Sequence, residues 1–285
     1  AYPVTKPFVG TLGAMLVADG RLDPAAPVSQ DLPELARSGF GDASIRDVLD
    51  MRLGIEFSED YTEPTAGIWN FARAGGLLPQ PPGYAGPGNF YAFLETVAKN
   101  GPHGQGFRYQ TAITEVLAWI LRRVTGQSLE ALISSHFWQP LGMEHDALLT
   151  VDSIGTAFGG GGFNAVLRDQ ARFGEMMRNG GRAHGKQLVP PEVIADITGG
   201  GDREAFKVGG APTIPGGSYR NMWWVMHNKH GAYSARGIHG QAIYIDPTAE
   251  MVIARFASHP LAGNFNFDPT SLPAYQAIAE RLLQG

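Results

Sequence analysis

The sequence predicts an α+β fold in which a helical lobe stands beside an antiparallel sheet. Apolar residues recur at helical spacing through most of the first 200 residues, whereas the C-terminal part contains short apolar runs typical of strands. A last amphipathic segment at 272–284 predicts a helix packed on that sheet. We therefore expect one domain over 1–285, with a helix-rich lobe at about 20–200 and a sheet-forming part at about 215–285.

The helices follow from their apolar spacing and their end signals. Ser44 is a suitable N-cap, Asn100-Gly101 and Gly126 are stop signals, and Arg122 and Arg123 favour the negative end of a helix. The predicted helices are 7–18, 43–51, 90–101, 113–126, 128–143 and 167–181.

The strands are predicted at 222–226, 237–247 and 250–258, and the turn "DPTAE" joins the last two as a hairpin. The Gly- and Pro-rich segments 78–89 and 199–218 read as long ordered loops, which either border a site or serve as surface connectors. "FGGGGF" (158–163) lacks the Gly-Lys-Ser/Thr of a phosphate-binding loop, so we interpret it as a flexible turn.

Composition narrows the class of protein. The chain has 285 residues and a net charge of -5 without a basic block, which disfavours nucleic acids and membrane surfaces as binding partners. It has no Cys, which excludes disulfides and metal sites with thiolate ligands. No apolar run is long enough for a membrane span and no signal-peptide pattern is present, so we expect a cytoplasmic protein. The expected partner is a small molecule; no cofactor is implied, and the oligomeric state stays open, a homodimer included.

Lys6 is the first candidate for chemistry. A lysine at the start of a buried helix loses hydration, which lowers its pKa toward the range of a base at neutral pH, whereas a solvated lysine is the common alternative. Pro7 disfavours helical geometry at the preceding residue, so we expect Lys6 at the helix boundary.

Two further motifs could join Lys6. Tyr109 in "FRYQT" could relay a proton if a cation stabilises its phenolate, or it could be a structural tyrosine. In "RGIHGQ" (236–241), the glycines allow close approach of a ligand and a strand N–H could stabilise an oxyanion, although a glycine pair also fits a bulge. His239 could carry a proton or simply pack. "HNKH" (227–230) lacks a third ligand for a metal.

The order of Lys, Tyr and a glycine-flanked motif resembles the serine β-lactamase and penicillin-binding-protein superfamily. The chain looks most like the 6-aminohexanoate-dimer hydrolases (nylon-oligomer hydrolases) and related carboxylesterases. The matching segments include "VTK" (4–6), "EDY" (59–61), "FRYQTAITEVLAW" (107–119), "GGSYRNMWW" (216–224) and "GIHGQAIYIDP" (237–247). The resemblance implies a β-lactamase/transpeptidase-like fold and hydrolysis of linear amides or esters through an acyl-enzyme.

The resemblance also implies roles for individual residues. Lys6 is similar to the general base, Tyr109 to its proton-relay partner, and the backbone N–H of Ile238 to an oxyanion donor. The substrate-binding positions implied are Tyr61 on a mobile loop, Trp224 in the pocket wall, and His239 and Gly240 in place of Lys-Thr-Gly.

The chain departs from the family pattern at its beginning. Pro3 occupies the position of the nucleophilic serine, and the strands that the family has upstream of this helix are not part of the sequence. The sequence therefore leaves two alternatives to a working hydrolase, namely a non-catalytic ligand-binding homologue and a disabled fragment.

Overall fold

The computed structural model describes residues 4–285, so Pro3 lies outside the described residues. The α-helices are α1 Thr5–Ala18, α2 Val28–Asp31, α3 Ile45–Leu49, α4 Gly67–Ala74, α5 Phe90–Thr96, α6 Thr111–Thr125, α7 Leu129–Ile133, α8 Leu167–Arg178, α9 Pro191–Gly199, α10 Arg203–Gly209 and α11 Asp268–Leu283. The strands are β1 Leu148–Leu149, β2 Phe163–Asn164, β3 Arg182–Ala183, β4 Lys186–Gln187, β5 Ser218–Arg220, β6 Trp223–Val225, β7 Tyr233–Arg236, β8 Ala242–Asp246 and β9 Met251–Arg255.

The main sheet is an antiparallel meander in the order β5-β6-β7-β8-β9. The predicted hairpin is present, because β8 and β9 pair from Ala242↔Arg255 to Asp246↔Met251 across the "DPTAE" turn. β1 with β2 and β3 with β4 form two small hairpins within the helical part. The predicted α+β class, with helices beside an antiparallel sheet, is confirmed.

Helix α1 lies at the centre of the molecule, between α6 and the sheet strand β6. Phe8 stacks on Phe173 of α8 with ring centroids 3.7 Å apart, and Thr11 accepts a hydrogen bond of 3.0 Å from the indole of Trp223. At Gly10 the helix approaches the sheet so closely that a Cβ would lie 2.1 Å from the carbonyl oxygen of Asn221. This packing fixes the start of α1 relative to the sheet.

The start of α1 differs from the prediction. The helix begins at Thr5, so Lys6 lies inside its first turn rather than at its boundary. Proline is tolerated at Pro7 because the N–H groups of the first turn have no acceptor within the helix, and the missing N–H costs nothing there. Lys6 thereby takes the fixed direction of a helical side chain.

Two other boundaries were wrong. The helix predicted at 90–101 ends at Thr96, because the following residues extend and pair with another segment through the bridge between Ile55 and Lys99. The strand predicted at 237–247 begins only at Ala242, since residues Ile238–Gly240 form a 3₁₀ turn in which His239 has φ 57°. The candidate oxyanion donor thus lies in a turn before the strand.

The glycine run contains a turn at 159–161, as interpreted from the sequence, but the flexibility expected for it was wrong. Residues 156–163 are buried, and a Cβ at Gly159 or Gly160 would lie 2.6 Å or 2.5 Å from atoms of α6. The glycines are needed because the backbone passes directly against this helix. The loop predicted at 199–218 contains the short helix α10, which Asp202 caps through the N–H groups of Glu204 and Ala205.

Candidate active site

A cavity of about 680 Å³ opens between the helical lobe and the sheet. Its wall contains Tyr109 from the segment before α6, Trp224 from β6 and Ile238 from the turn after β7. Tyr61 and the Gly- and Pro-rich residues 209–212 also line it. The ring centroids of Tyr109 and Trp224 lie 5.5 Å apart, so these two rings form an aromatic wall of the pocket, and polar side chains lie at its rim. The structure therefore brings together four of the residues selected from the sequence.

Lys6 lies directly behind Tyr109. Its side chain is buried, with 1 % exposed, and its Nζ donates a hydrogen bond of 2.7 Å to the carbonyl oxygen of Gly160. The amine lies over the ring face of Tyr109, 4.9 Å from the centroid. Burial lowers the pKa of Lys6 from the usual 10.5 to about 8, while the carboxylates of Glu59 and Glu115 oppose that decrease. The amine is thus poised to exchange a proton near neutral pH.

Tyr109 does not have the stabilised phenolate that a proton relay through a nearby cation would use. Burial and the carboxylate of Glu59 raise its pKa well above the usual value, with a smaller opposing effect of Arg236. The expected cation is present, but Lys6 lies over the ring face rather than against the hydroxyl. In this arrangement Tyr109 is a protonated phenol that can donate a hydrogen bond, and the neighbouring amine is the better base.

Glu59 organises the rim of the cavity, and the sequence analysis missed it. Its carboxylate accepts a hydrogen bond of 2.8 Å from the hydroxyl of Tyr61 and one of 2.7 Å from the hydroxyl of Thr111 at the start of α6. These bonds connect the loop that carries Tyr61 to the segment that carries Tyr109. The residue precedes Tyr61 by two positions in "EDY", and only the fold reveals its contact with α6.

The turn after β7 presents Ile238 to the cavity. The N–H of Ile238 donates to no protein acceptor within residues 4–285. The next N–H, that of His239, is bonded to the carbonyl of Ala262, and the His239 ring bonds the carbonyl of His259. Gly240 faces the His259 ring, since a Cβ there would lie 2.7 Å from it. Hence His239 and Gly240 shape the turn, whereas Arg236 and Ile238 of the same motif line the pocket with Tyr109.

Glu115 is the second residue that the sequence analysis missed. It lies on α6 within a fully buried stretch, and its carboxylate accepts hydrogen bonds from the N–H groups of Gly159 at 2.8 Å and Gly160 at 3.3 Å. Burial raises its pKa from the usual 4.5 to about 7, against the opposing effects of Arg122 and of the two N–H groups. A charged residue within the apolar helix 113–126 was the signal that could have identified it.

The described residues contain no group of three or more His, Cys, Asp or Glu side chains that could hold a metal ion. The two histidines of "HNKH" bond elsewhere: His227 contacts Ser218 at 2.8 Å, and His230 contacts Asp246 at 2.8 Å. Every helix within residues 4–285 is too short or too polar to cross a membrane.

This chain is similar to known proteins over most of its length. The Beta-lactamase family model matches residues 2–271. The 6-aminohexanoate-dimer hydrolase of Paenarthrobacter ureafaciens is 39% identical over 258 residues, which are 90% of this chain and 65% of that protein. The chain thus spans about two thirds of the length of this relative.

Solved structures show the same fold. A Bacillus anthracis protein provisionally named a 6-aminohexanoate-dimer hydrolase superposes with a TM-score of 0.88 at 32% identity, over 99% of this chain and 72% of that one. A family VIII carboxylesterase superposes with a TM-score of 0.71 at 17% identity, over 99% of this chain and 82% of that one. The β-lactamase/transpeptidase-like fold expected from the sequence is confirmed, and the chain belongs to the Beta-lactamase family.

Proposed function

We propose that this chain carries the substrate pocket and proton-transfer groups of a hydrolase for linear amides or esters. The observation that supports the proposal best is the buried Lys6 amine, with a pKa of about 8, behind a cavity that Tyr109 and Ile238 line. The substrate class follows from the relatives, which are named as a 6-aminohexanoate-dimer hydrolase and a carboxylesterase. We accordingly expect 6-aminohexanoate-dimer-like amides or short-chain esters to occupy the cavity.

In the proposed reaction, which needs serine in place of Pro3, the serine hydroxyl attacks the carbonyl carbon of the substrate while Lys6 accepts its proton. The N–H of Ile238 donates to the oxyanion of the tetrahedral intermediate. The phenol of Tyr109 gives its proton to the leaving amine or alcohol and is reprotonated by the Lys6 ammonium, which restores the neutral amine. A water then attacks the acyl-enzyme while the neutral Lys6 amine accepts its proton, and this proton is passed to the serine oxygen as the acid product leaves. Tyr61 and Trp224 hold the chain of the substrate against the aromatic wall.

Pro3 deprives this chain of the nucleophile that the reaction needs. Proline has neither a hydroxyl nor a backbone N–H, so it supplies neither a nucleophile nor a hydrogen-bond donor at that position. Groups that act as a catalytic unit are strongly non-additive, and loss of the nucleophile removes most of the benefit of Lys6 and Tyr109. For this reason a non-catalytic ligand-binding protein of the same fold, or a disabled copy, is the second candidate function.

The test compares the unsubstituted chain with the variants Pro3→Ser and Pro3→Ala. The alanine variant restores the backbone N–H at position 3 without adding a hydroxyl. Hydrolysis of p-nitrophenyl acetate and of 6-aminohexanoate dimer is measured for each. Activity that appears only with serine supports the hydrolase with a missing nucleophile. Equal activity in all three chains would show that the nucleophile is not at position 3, and saturable binding of the dimer without rescue by serine favours the binding protein.

A further inference from the structure

We propose that Glu115 is a positioning residue for Lys6, acting through the backbone of the glycine run. This inference rests on the proposed role of Lys6 as the base. Glu115 binds the N–H groups of Gly159 and Gly160, and the carbonyl of Gly160 accepts the hydrogen bond from Lys6. The carboxylate on α6 therefore bonds to the N–H groups of this peptide segment, and the amine on α1 bonds to its carbonyl group.

The packing leaves this segment little freedom. Gly159 lies against Ala118 of α6, and Gly160 lies against Thr111 at the start of the same helix. Because neither glycine has a side chain, hydrogen bonds to the backbone are what define the direction of the Gly160 carbonyl. One carboxylate oxygen of Glu115 accepts from both N–H groups and thereby fixes the segment at its N–H groups.

Arg122, which lies two helical turns after Glu115 on α6, also holds the segment that contains the glycine run. Its NH1 lies 3.6 Å from the free oxygen of Glu115 and donates to the hydroxyl of Tyr91 at 2.9 Å. Its NH2 donates to the carbonyl of Ala157, just before the glycine run. The same segment is thereby held by an anion at its N–H groups and by a cation at a carbonyl.

The charges that face Glu115 come from several elements. Arg122 on its own helix favours the ionised form, and Asp152 in the loop before the glycine run disfavours it. Lys6 on α1 is influenced by the Glu115 charge in return, because that carboxylate raises the pKa of the amine. Ionisation of Glu115 is therefore expected to change the pKa of Lys6 in two ways. The charge acts directly through space, and the hydrogen bonds of Glu115 also fix the Gly160 backbone that accepts from Lys6.

The first experiment uses the native chain and needs no turnover. The chain has five lysines, so the ¹³Cε signal of Lys6 in a lysine-labelled sample is assigned by its loss in Lys6→Arg. The amide signals of Gly159 and Gly160 should move with a midpoint near pH 7, and the Lys6 signal should show a step at that midpoint before its own titration near pH 8. A Lys6 signal with no step near pH 7 would overturn the proposal.

The second experiment removes the charge. In Glu115→Gln the midpoint of Lys6 should fall by a few tenths to about one pH unit, since a stabilising anion and a fixed carbonyl are both lost. Glu95→Gln on the exposed face of α5 is the matched control and should leave the midpoint unchanged. An unchanged Lys6 midpoint in a folded Glu115→Gln protein contradicts the positioning role.

The third experiment separates this inference from the proposed function. In a Pro3→Ser background, Glu115→Gln should lower kcat at least tenfold and change KM little, since Glu115 lies behind the base and does not line the cavity. If Pro3→Ser is inactive while Glu115→Gln still shifts Lys6, the proposed function fails and the positioning role stands. If the double variant keeps full kcat, Glu115 is only structural.

Discussion

Replacement of Lys6 by methionine should stabilise the protein. A pKa that falls from the usual 10.5 to about 8 means that burial of the charged amine costs about 3 kcal/mol at pH 7. Methionine has a similar length and no charge, but it leaves the carbonyl of Gly160 without its donor, which costs about 1 kcal/mol. The net expectation is that Lys6→Met raises the free energy of unfolding by about 2 kcal/mol at pH 7.

The pH dependence identifies the cause of this effect. Below pH 8 the lysine is protonated in both states and the full cost of burial is present. Between about pH 8 and 10.5 the unfolded chain binds more protons than the folded one, so the stability of the native protein rises with pH. The advantage of Lys6→Met should therefore shrink across this window and turn slightly unfavourable near pH 10.5.

Urea unfolding at several pH values between 6.5 and 10, followed by circular dichroism, measures this difference as a free energy. Lys186→Met on the exposed strand β4 is the control and should show a small difference that does not depend on pH. A Lys6→Met advantage that stayed constant from pH 7 to 10, or a loss of stability at pH 7, would refute the reasoning.

Three other variants test the surroundings of this amine. Gly160→Ala should lose about 1–3 kcal/mol of stability by urea unfolding, because its Cβ would lie 2.5 Å from Thr111, whereas Gly88→Ala, with open space, should change little. Because the pKa of Glu115 is raised, the folded state binds more protons than the unfolded state between pH 4.5 and 7, so the stability of the native protein decreases as the pH rises through this range. Glu115→Gln should abolish this decrease, and an unaltered pH profile contradicts the prediction. Tyr61→Phe in a Pro3→Ser background should raise KM for the amide dimer severalfold, and an unchanged KM would exclude Tyr61 from substrate binding.

The sequence predicted those parts of the fold that have a periodic pattern. The long apolar stripe of α6 and the apolar runs of β8 and β9 with the turn between them identified three of the elements. The turn around His239 was missed because its geometry depends on tertiary bonds, such as the one from the His239 N–H to Ala262, which leave no pattern in the local sequence. Short strands such as β5 and β7 were missed for the same reason.

The candidate site was predictable only where a side chain faces the cavity. Tyr109 and Trp224 meet there, as the resemblance implied. The hydrogen-bond acceptor of Lys6 was not predictable, because it is the backbone carbonyl of Gly160, and Glu115 bonds to the N–H groups of Gly159 and Gly160 rather than to the amine. A glycine run read alone suggests flexibility, and only the packing of Gly159 against α6 shows that the same residues make a rigid segment.

The two buried ionisable groups act in a fixed order as pH rises. Glu115 loses its proton near pH 7 and Lys6 loses its own near pH 8, so each group is already charged in the range where its partner changes state. Below pH 7 the amine is charged and Glu115 is neutral, which weakens the hold on the glycine N–H groups. A rise in pH through this range therefore favours both the neutral amine that the proposed reaction needs and the ionised carboxylate that positions the Gly160 carbonyl.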